Sequence, residues 1–131
     1  MAMGIGTVID RGRRVVATTF SGQISGAEIL RYQQEVWGDE AVSEFDVLLD
    51  FTSAVRTDVS VEQLRELAAR SHVIDGAVPS RMALVAVGPI AVTGVHVYKA
   101  ARESFQGCAR EVRVFDRLAD ARAWLGLPDE A

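Results

Sequence analysis

Between Asp46 and Arg70 the chain spells out a strand, a polar segment and a helix in succession, and this order constrains the fold more than any other stretch. Val47, Leu48 and Leu49 form a short apolar run that ends at Asp50. The segment from Phe51 to Val59 is rich in hydroxyls and reads as a loop, and an amphipathic helix starts at Ser60. A strand that passes to a helix through such a loop opens a crevice at the carboxyl end of a sheet, where α/β proteins usually place what they bind or modify.

The flanking segments repeat the alternation. Ile5–Ile9 and Val15–Phe20 read as two strands joined by a tight turn over Asp10–Arg13, with Gly12 free to take positive φ; together they make an antiparallel hairpin. Ser25 and Glu28 match a capping box opening a helix to about Trp37, with Ile29, Leu30, Val36 and Trp37 on one stripe and Gly38-Asp39 closing it. Ser60 and Gln63 form a second capping box, followed by Val61, Leu64, Leu67, Ala68 and Ser71 at helical spacing. The unbroken run Arg81–Val87 suits a strand covered on both sides or central in the sheet. After Gly88-Pro89 a helix carries Val92, Val95 and Tyr98 to about Phe105. Glu111–Phe115 alternates charged and apolar residues, as a half-exposed edge strand does. Asp116 is placed to cap a last helix, whose Trp124 and Leu125 should dock beside Phe115 and the strand Met82–Val87. The order is ββαβαβαβα. Helices long enough for right-handed crossovers make the later strands parallel. The expected fold is a single α/β domain over 1–131, with a mixed, mostly parallel five-stranded sheet, an N-terminal antiparallel hairpin and about four helices.

Several strings resemble the SpoIIAA-like proteins of the STAS (anti-sigma factor antagonist) group, which is related to the CRAL-TRIO lipid-transfer domain. They are Gly22–Glu28 opening the first helix, Val47–Phe51, Arg81–Ala86, and Val114–Asp116 leading to Ala123–Leu125. The resemblance covers about 20–125 and consists of packing and capping signatures, so it bears on fold more than on activity. In anti-sigma antagonists the loop before the second helix carries an Asp-Ser-Ser-Gly motif whose second serine is phosphorylated. Here the motif falls on Asp58-Val59-Ser60-Val61, so the resemblance implies Ser60 as phosphoacceptor, with valines in the remaining two positions.

Composition narrows the function classes. A net charge of −4 argues against bulk nucleic-acid or anionic-membrane binding. No apolar run approaches the ~18 residues of a membrane span, and Met1–Gly12 lacks signal-peptide order. Cys108 is the lone cysteine, read as a small residue at a helix-to-strand turn, and a reducing cytoplasm is the expected compartment. His72 and His96 lie 24 residues apart on different helices and read as surface or half-buried positions. No Gly-x-Ser-x-Gly, paired-His, Cys-x-x-Cys or phosphate-binding glycine-rich string is present, so neither catalysis nor a metal or cofactor is expected. Arg11, Arg13 and Arg14 read as a solvated hairpin tip, and Arg102, Arg110 and Arg113 as a weak basic cluster beside the last strand.

The expected working surface comprises Asp50, Thr52, Ser53, Arg56 and Asp58 with Ser60. Asp50 is better suited to bonding loop N–H groups than to holding a metal, and Ser60 as an N-cap accounts for itself structurally. The first expectation is a non-enzymatic regulatory module that docks another protein on this surface. The alternative is a small-molecule or lipid-binding domain of CRAL-TRIO type, with the helix Ile90–Tyr98 beside an apolar site. An apolar cavity of a few hundred Å³ would favour the alternative, a filled core the first. A symmetric homodimer is the default for a small domain with an exposed edge strand.

Overall fold

The computed structural model describes residues 4–37, 44–74, 79–104 and 110–128, with backbone alone at 55–57 and 72–74. Strand β1 (Gly4–Asp10) pairs antiparallel with β2 (Val15–Ile24). Helix α1 (Gly26–Tyr32) follows and runs into a single π-helical turn, Gln33–Trp37. Then come β3 (Asp46–Thr57), α2 (Val61–Ile74), β4 (Ser80–Val85), α3 (Pro89–Glu103), β5 (Arg110–Phe115) and α4 (Leu118–Trp124). The sheet order is β1-β2-β3-β4-β5, with every neighbouring pair after the hairpin parallel. The expected ββαβαβαβα order and mixed, mostly parallel sheet are what the chain adopts.

This topology decides where the helices lie. Each crossover from β2 to β5 moves one position in the same direction, so right-handed connections put α1, α2 and α3 on one face. Only α4, after the last strand, returns on the other. Side chains alternate accordingly. Phe20, Val47, Leu49, Met82, Leu84 and Val112 join Tyr32, Leu67, Val95 and Tyr98 in the larger core. Leu48, Ala83 and Val85 point the other way, to Ala121 and Leu125.

The segment expected as a loop is mostly strand. β3 runs on to Thr57 and β2 on to Ile24, four residues beyond the expected end, and the two stay paired at Ser21–Ser53, Gly22–Ala54, Gln23–Arg56 and Ile24–Thr57. Phe51, Thr52, Val55 and Thr57 are aromatic or β-branched, and no Gly or Pro interrupts them, so a paired strand is the better home for their backbone. Register shifts at Thr19/Ser21 and Gly22/Gln23 mark bulges, and Gly22 takes φ +70° at the second.

Other local expectations shift by a residue or a turn type. At the hairpin tip the positive φ belongs to Arg14 (59°), not Gly12. The Asp10 carboxylate accepts the Arg13 N–H at 2.9 Å and closes the turn instead. The Ser25–Glu28 and Ser60–Gln63 capping boxes both form. Arg117, not Asp116, is the N-cap of α4, with no side-chain bond to the helix. Leu125 is the buried anchor of α4, whereas Trp124 is half-buried, 5.6 Å from the Phe115 ring and flanked by the Arg81 and Arg113 guanidiniums. Of the β4 residues, Ala83 and Val85 meet α4; Met82 and Leu84 belong to the opposite core. Gly38-Asp39, Phe105 and Cys108, with the side chains of Arg56, Thr57 and His72, lie outside the described residues.

Candidate functional site: an apolar cavity beneath three helices

The expected surface residues are strung along β3 and the turn after it rather than gathered into one site. Asp50, buried to 8% exposure, accepts from the Thr52 N–H at 2.9 Å and its hydroxyl at 2.7 Å, the local bonding expected of it. It shares the parity of Leu48, which places it on the α4 side of the sheet. Thr52 and Ser53 are exposed, and Arg56 lies in the paired strand opposite Gln23. Asp58 reaches across to α1, its carboxylate accepting the Gly26 N–H at 2.8 Å. Ser60 is exposed, and its oxygen accepts the Gln63 N–H at 3.1 Å. The N-termini of α1 and α2 touch here so closely that a Cβ on Gly26 would collide with the Gln63 amide. Asp50 and Asp58 serve different partners, and among the described residues no three His, Cys, Asp or Glu side chains assemble as metal ligands.

His96 is exposed on α3, in keeping with a surface position. The basic cluster does not form a patch. Arg102 and Arg110 are buried, while exposed Arg113 pairs with Glu111 at 3.2 Å.

The feature that stands out lies on the three-helix side, where a cavity of about 580 Å³ separates α2 and α3 from the sheet. Phe20, Ile24, Leu49, Phe51, Ala54 and Leu84 line it from the strands. Ile29, Tyr32, Gln33, Trp37, Leu64, Leu67, Val95 and Tyr98 line it from the helices and the π turn. The bulge in β3 matters here. Strict alternation would pair Phe51 with residue 53 on one face, but the extra residue lets Phe51 and Ala54 both face the cavity. Val87 (47% exposed) and Ile90 (76% exposed) line the cavity and are also open to solvent, so they mark its mouth, at the junction of β4 and α3. The opening sits at the carboxyl ends of the parallel strands, as the crevice rule expects, but on the opposite side of the sheet from Asp50. Its volume and its apolar wall with a few polar groups match small-molecule sites in general.

Aromatic rings form the floor. Phe20 stacks on Phe51 at 4.3 Å and meets Tyr32 edge-on at 5.5 Å. The Tyr32 hydroxyl lies 2.6 Å from the Thr18 hydroxyl and accepts the Trp37 indole N–H at 3.0 Å. Burial pushes the Tyr32 phenol up to about 12, against a smaller downward pull from these two hydrogen bonds. A second network joins the helices. Gln33 Nε2 donates to the Leu67 carbonyl at 2.8 Å and to Ser71 Oγ at 2.7 Å, and Ser71 Oγ lies 2.7 Å from the Tyr98 hydroxyl. Arg102 donates to that same hydroxyl at 3.2 Å.

Sequence reasoning placed Ser71 and Tyr98 on helical faces but missed Tyr32 and Gln33 and the hydrogen bonds that these polar groups make. One signal was present: Gln33 stands on the apolar stripe of Ile29 and Val36, and Ser71 on that of Leu64 and Leu67. A polar residue on an apolar stripe is a buried polar group in need of a partner. The π turn that carries Gln33 and Trp37 has no sequence signature, and such turns often occur at functional sites.

No family model matches the sequence, and no curated protein matches it. Among solved structures, a protein of the DUF3478 family from Shewanella loihica PV-4, described as uncharacterized and as having a SpoIIAA-like fold, superposes with a TM-score of 0.60. The two share 16% identity, and the match covers 95% of this chain and 96% of that one. The chain has the SpoIIAA-like fold, the architecture that its sequence strings resemble. No described helix is long and apolar enough to cross a membrane.

Proposed function

We propose that this chain is a non-enzymatic binding module of the cytoplasm whose cavity takes an apolar small molecule or lipid. One observation carries the reading: an apolar space of about 580 Å³ opens at Val87 and Ile90, beneath the helices of one face of the sheet. Trp37 lines the cavity and the other tryptophan, Trp124, lies on the far face, so a Trp124→Phe protein reports on the cavity by fluorescence alone. A titration with decanol should change Trp37 emission saturably, and native mass spectrometry should detect the adduct. Gly94 faces open space, where an added Cβ would meet nothing within 4 Å, so Gly94→Leu should occupy the cavity and abolish the response. A folded protein that binds no apolar probe, or that binds decanol equally well with Leu at 94, would end this reading.

A second reading rests on the exposed hydroxyl of Ser60 beside Asp58, the positions that match the anti-sigma antagonist motif. In it, phosphorylation of Ser60 changes the docking of a protein partner on the surface of Thr52, Ser53, Arg56 and Asp58. The added charge of about −1.5 to −2 would lie at the N-terminus of α2, a favourable place for it. Mass spectrometry of the protein from its own cells tests it. The absence of phosphate at Ser60, together with an unchanged partner set for Ser60→Glu, would remove it.

A further inference from the structure

Resting on the cavity reading, we infer that the ligand is an uncharged apolar molecule that presents one hydrogen-bond donor, a hydroxyl or an N–H, to the Oε1 atom of Gln33. The direction of each bond in the helix network leads to this atom. Ser71 has one hydroxyl hydrogen, and it goes to the Leu67 carbonyl at 2.8 Å. The Tyr98 hydroxyl must then donate to Ser71 Oγ while it accepts from Arg102. Gln33 Nε2 faces that same carbonyl, which can only accept, so the amide orientation is set chemically: nitrogen toward Leu67 and Ser71, oxygen away. The Tyr32 hydroxyl is engaged by Thr18 and Trp37. What remains is Gln33 Oε1, an acceptor without a hydrogen-bond partner in a side chain only 2% exposed.

A buried acceptor left unmade is costly, and bulk water does not reach this one. Gln33 is part of the cavity wall, and although Oε1 itself has almost no accessible surface, a turn of the amide would bring it to the cavity, where a ligand can supply the partner. The chemistry selects the partner. An alcohol, a phenol or an amide supplies a donor, whereas an ether or an ionised carboxylate offers only acceptors and would face Oε1 unfavourably.

The test compares decanol, its methyl ether and decanoate on the full chain, by Trp37 fluorescence in the Trp124→Phe background. Decanol should bind about tenfold more tightly than the ether, the scale of one hydrogen bond to a buried group. It should also exceed decanoate, and it should shift the NMR signals of the Gln33 side-chain amide. In Gln33→Met, of similar length and without the oxygen, the preference for alcohol over ether should vanish while the ether still binds. Equal binding of alcohol and ether by the wild type, or a preference for decanoate, overturns the role of Gln33 and leaves the cavity reading standing. Failure of all three probes overturns the cavity reading, and this inference with it. The wild-type comparison decides the matter even where Gln33→Met does not fold.

Discussion

The two faces of the sheet are packed by contrasting means. Under α4 the buried residues are aliphatic: Ala83 and Ala121 have no exposed surface, Leu48, Val85 and Leu125 close around them, and Phe115 and Trp124 pack at the edge. Under α1–α3 the core has the larger side chains, among them Phe20, Tyr32, Trp37 and Tyr98, yet about 580 Å³ stays open. The amount of apolar material therefore does not decide whether a face is filled. Leu49, Leu64, Leu67, Leu84 and Val95 also line the open space, so aliphatic side chains by themselves do not close it. Tyr32 and Tyr98 are held by their hydroxyls, to Thr18 and Trp37 in one case and to Ser71 in the other, and a ring tethered at its tip cannot swing into a gap. Hydrogen bonds hold the Tyr32 and Tyr98 rings of the cavity wall in place.

The largest test of this contrast removes the floor. Phe20→Ala takes away a ring that is 1% exposed and touches both Phe51 and Tyr32, and should cost about 3–5 kcal/mol in a reversible denaturant titration. A loss below about 2 kcal/mol would mean that the floor collapses to fill the gap, and that the rings are not held as described.

The tether at Tyr32 has a signature in alkaline solution. Its folded pKa of about 12 exceeds the ordinary value of 10.0, so between these limits the unfolded chain releases a proton that the folded chain keeps. Stability is fully present below pH 10 and declines as pH rises toward 12, by about 2–3 kcal/mol. Tyr32→Phe should start less stable at neutral pH, since Thr18 and Trp37 lose a partner, and should lose that part of the alkaline slope. An unaltered slope would mean that Tyr32 is not the buried phenol.

Adding a side chain should act oppositely on the two faces. Ala121→Leu forces extra volume into the α4 interface, where Ala121 has no exposed surface, and should cost about 1–3 kcal/mol. Gly94→Leu places its side chain in the open cavity and also relieves a mid-helix glycine, so it should stabilise by up to about 1 kcal/mol. Thermal unfolding of the two variants side by side reads the contrast directly, and the same sign for both would erase it.

Much of the fold was legible because it rests on local and periodic signals. The capping boxes at Ser25 and Ser60 start helices wherever the chain goes, since their partners lie three residues away. The run Arg81–Val87 and the alternation at Glu111–Phe115 correctly placed a strand covered on both faces and an edge strand. The one large error, the loop expected over Phe51–Val59, arose from hydroxyls that mark loops only when their backbone has no strand to pair with. β2 supplied that strand by extending to Ile24, and this pairing between distant segments is invisible to any window of sequence.

The sequence by itself determined the order of elements and the helix starts at Ser25 and Ser60, because these follow from side-chain spacing and short-range hydrogen bonds. It also pointed to the carboxyl ends of the strands, where the cavity opens. Tertiary structure alone decided which side of the sheet carries the cavity. The uniform direction of the crossovers stacks three helices on one face, and a bulge in β3 turns Ala54 toward them beside Phe51. Tertiary structure also decided the part Gln33 plays: its bonds to Leu67 and Ser71 join residues 34 and 38 positions apart, and the direction of those bonds, set by which partners can only accept, leaves one oxygen open.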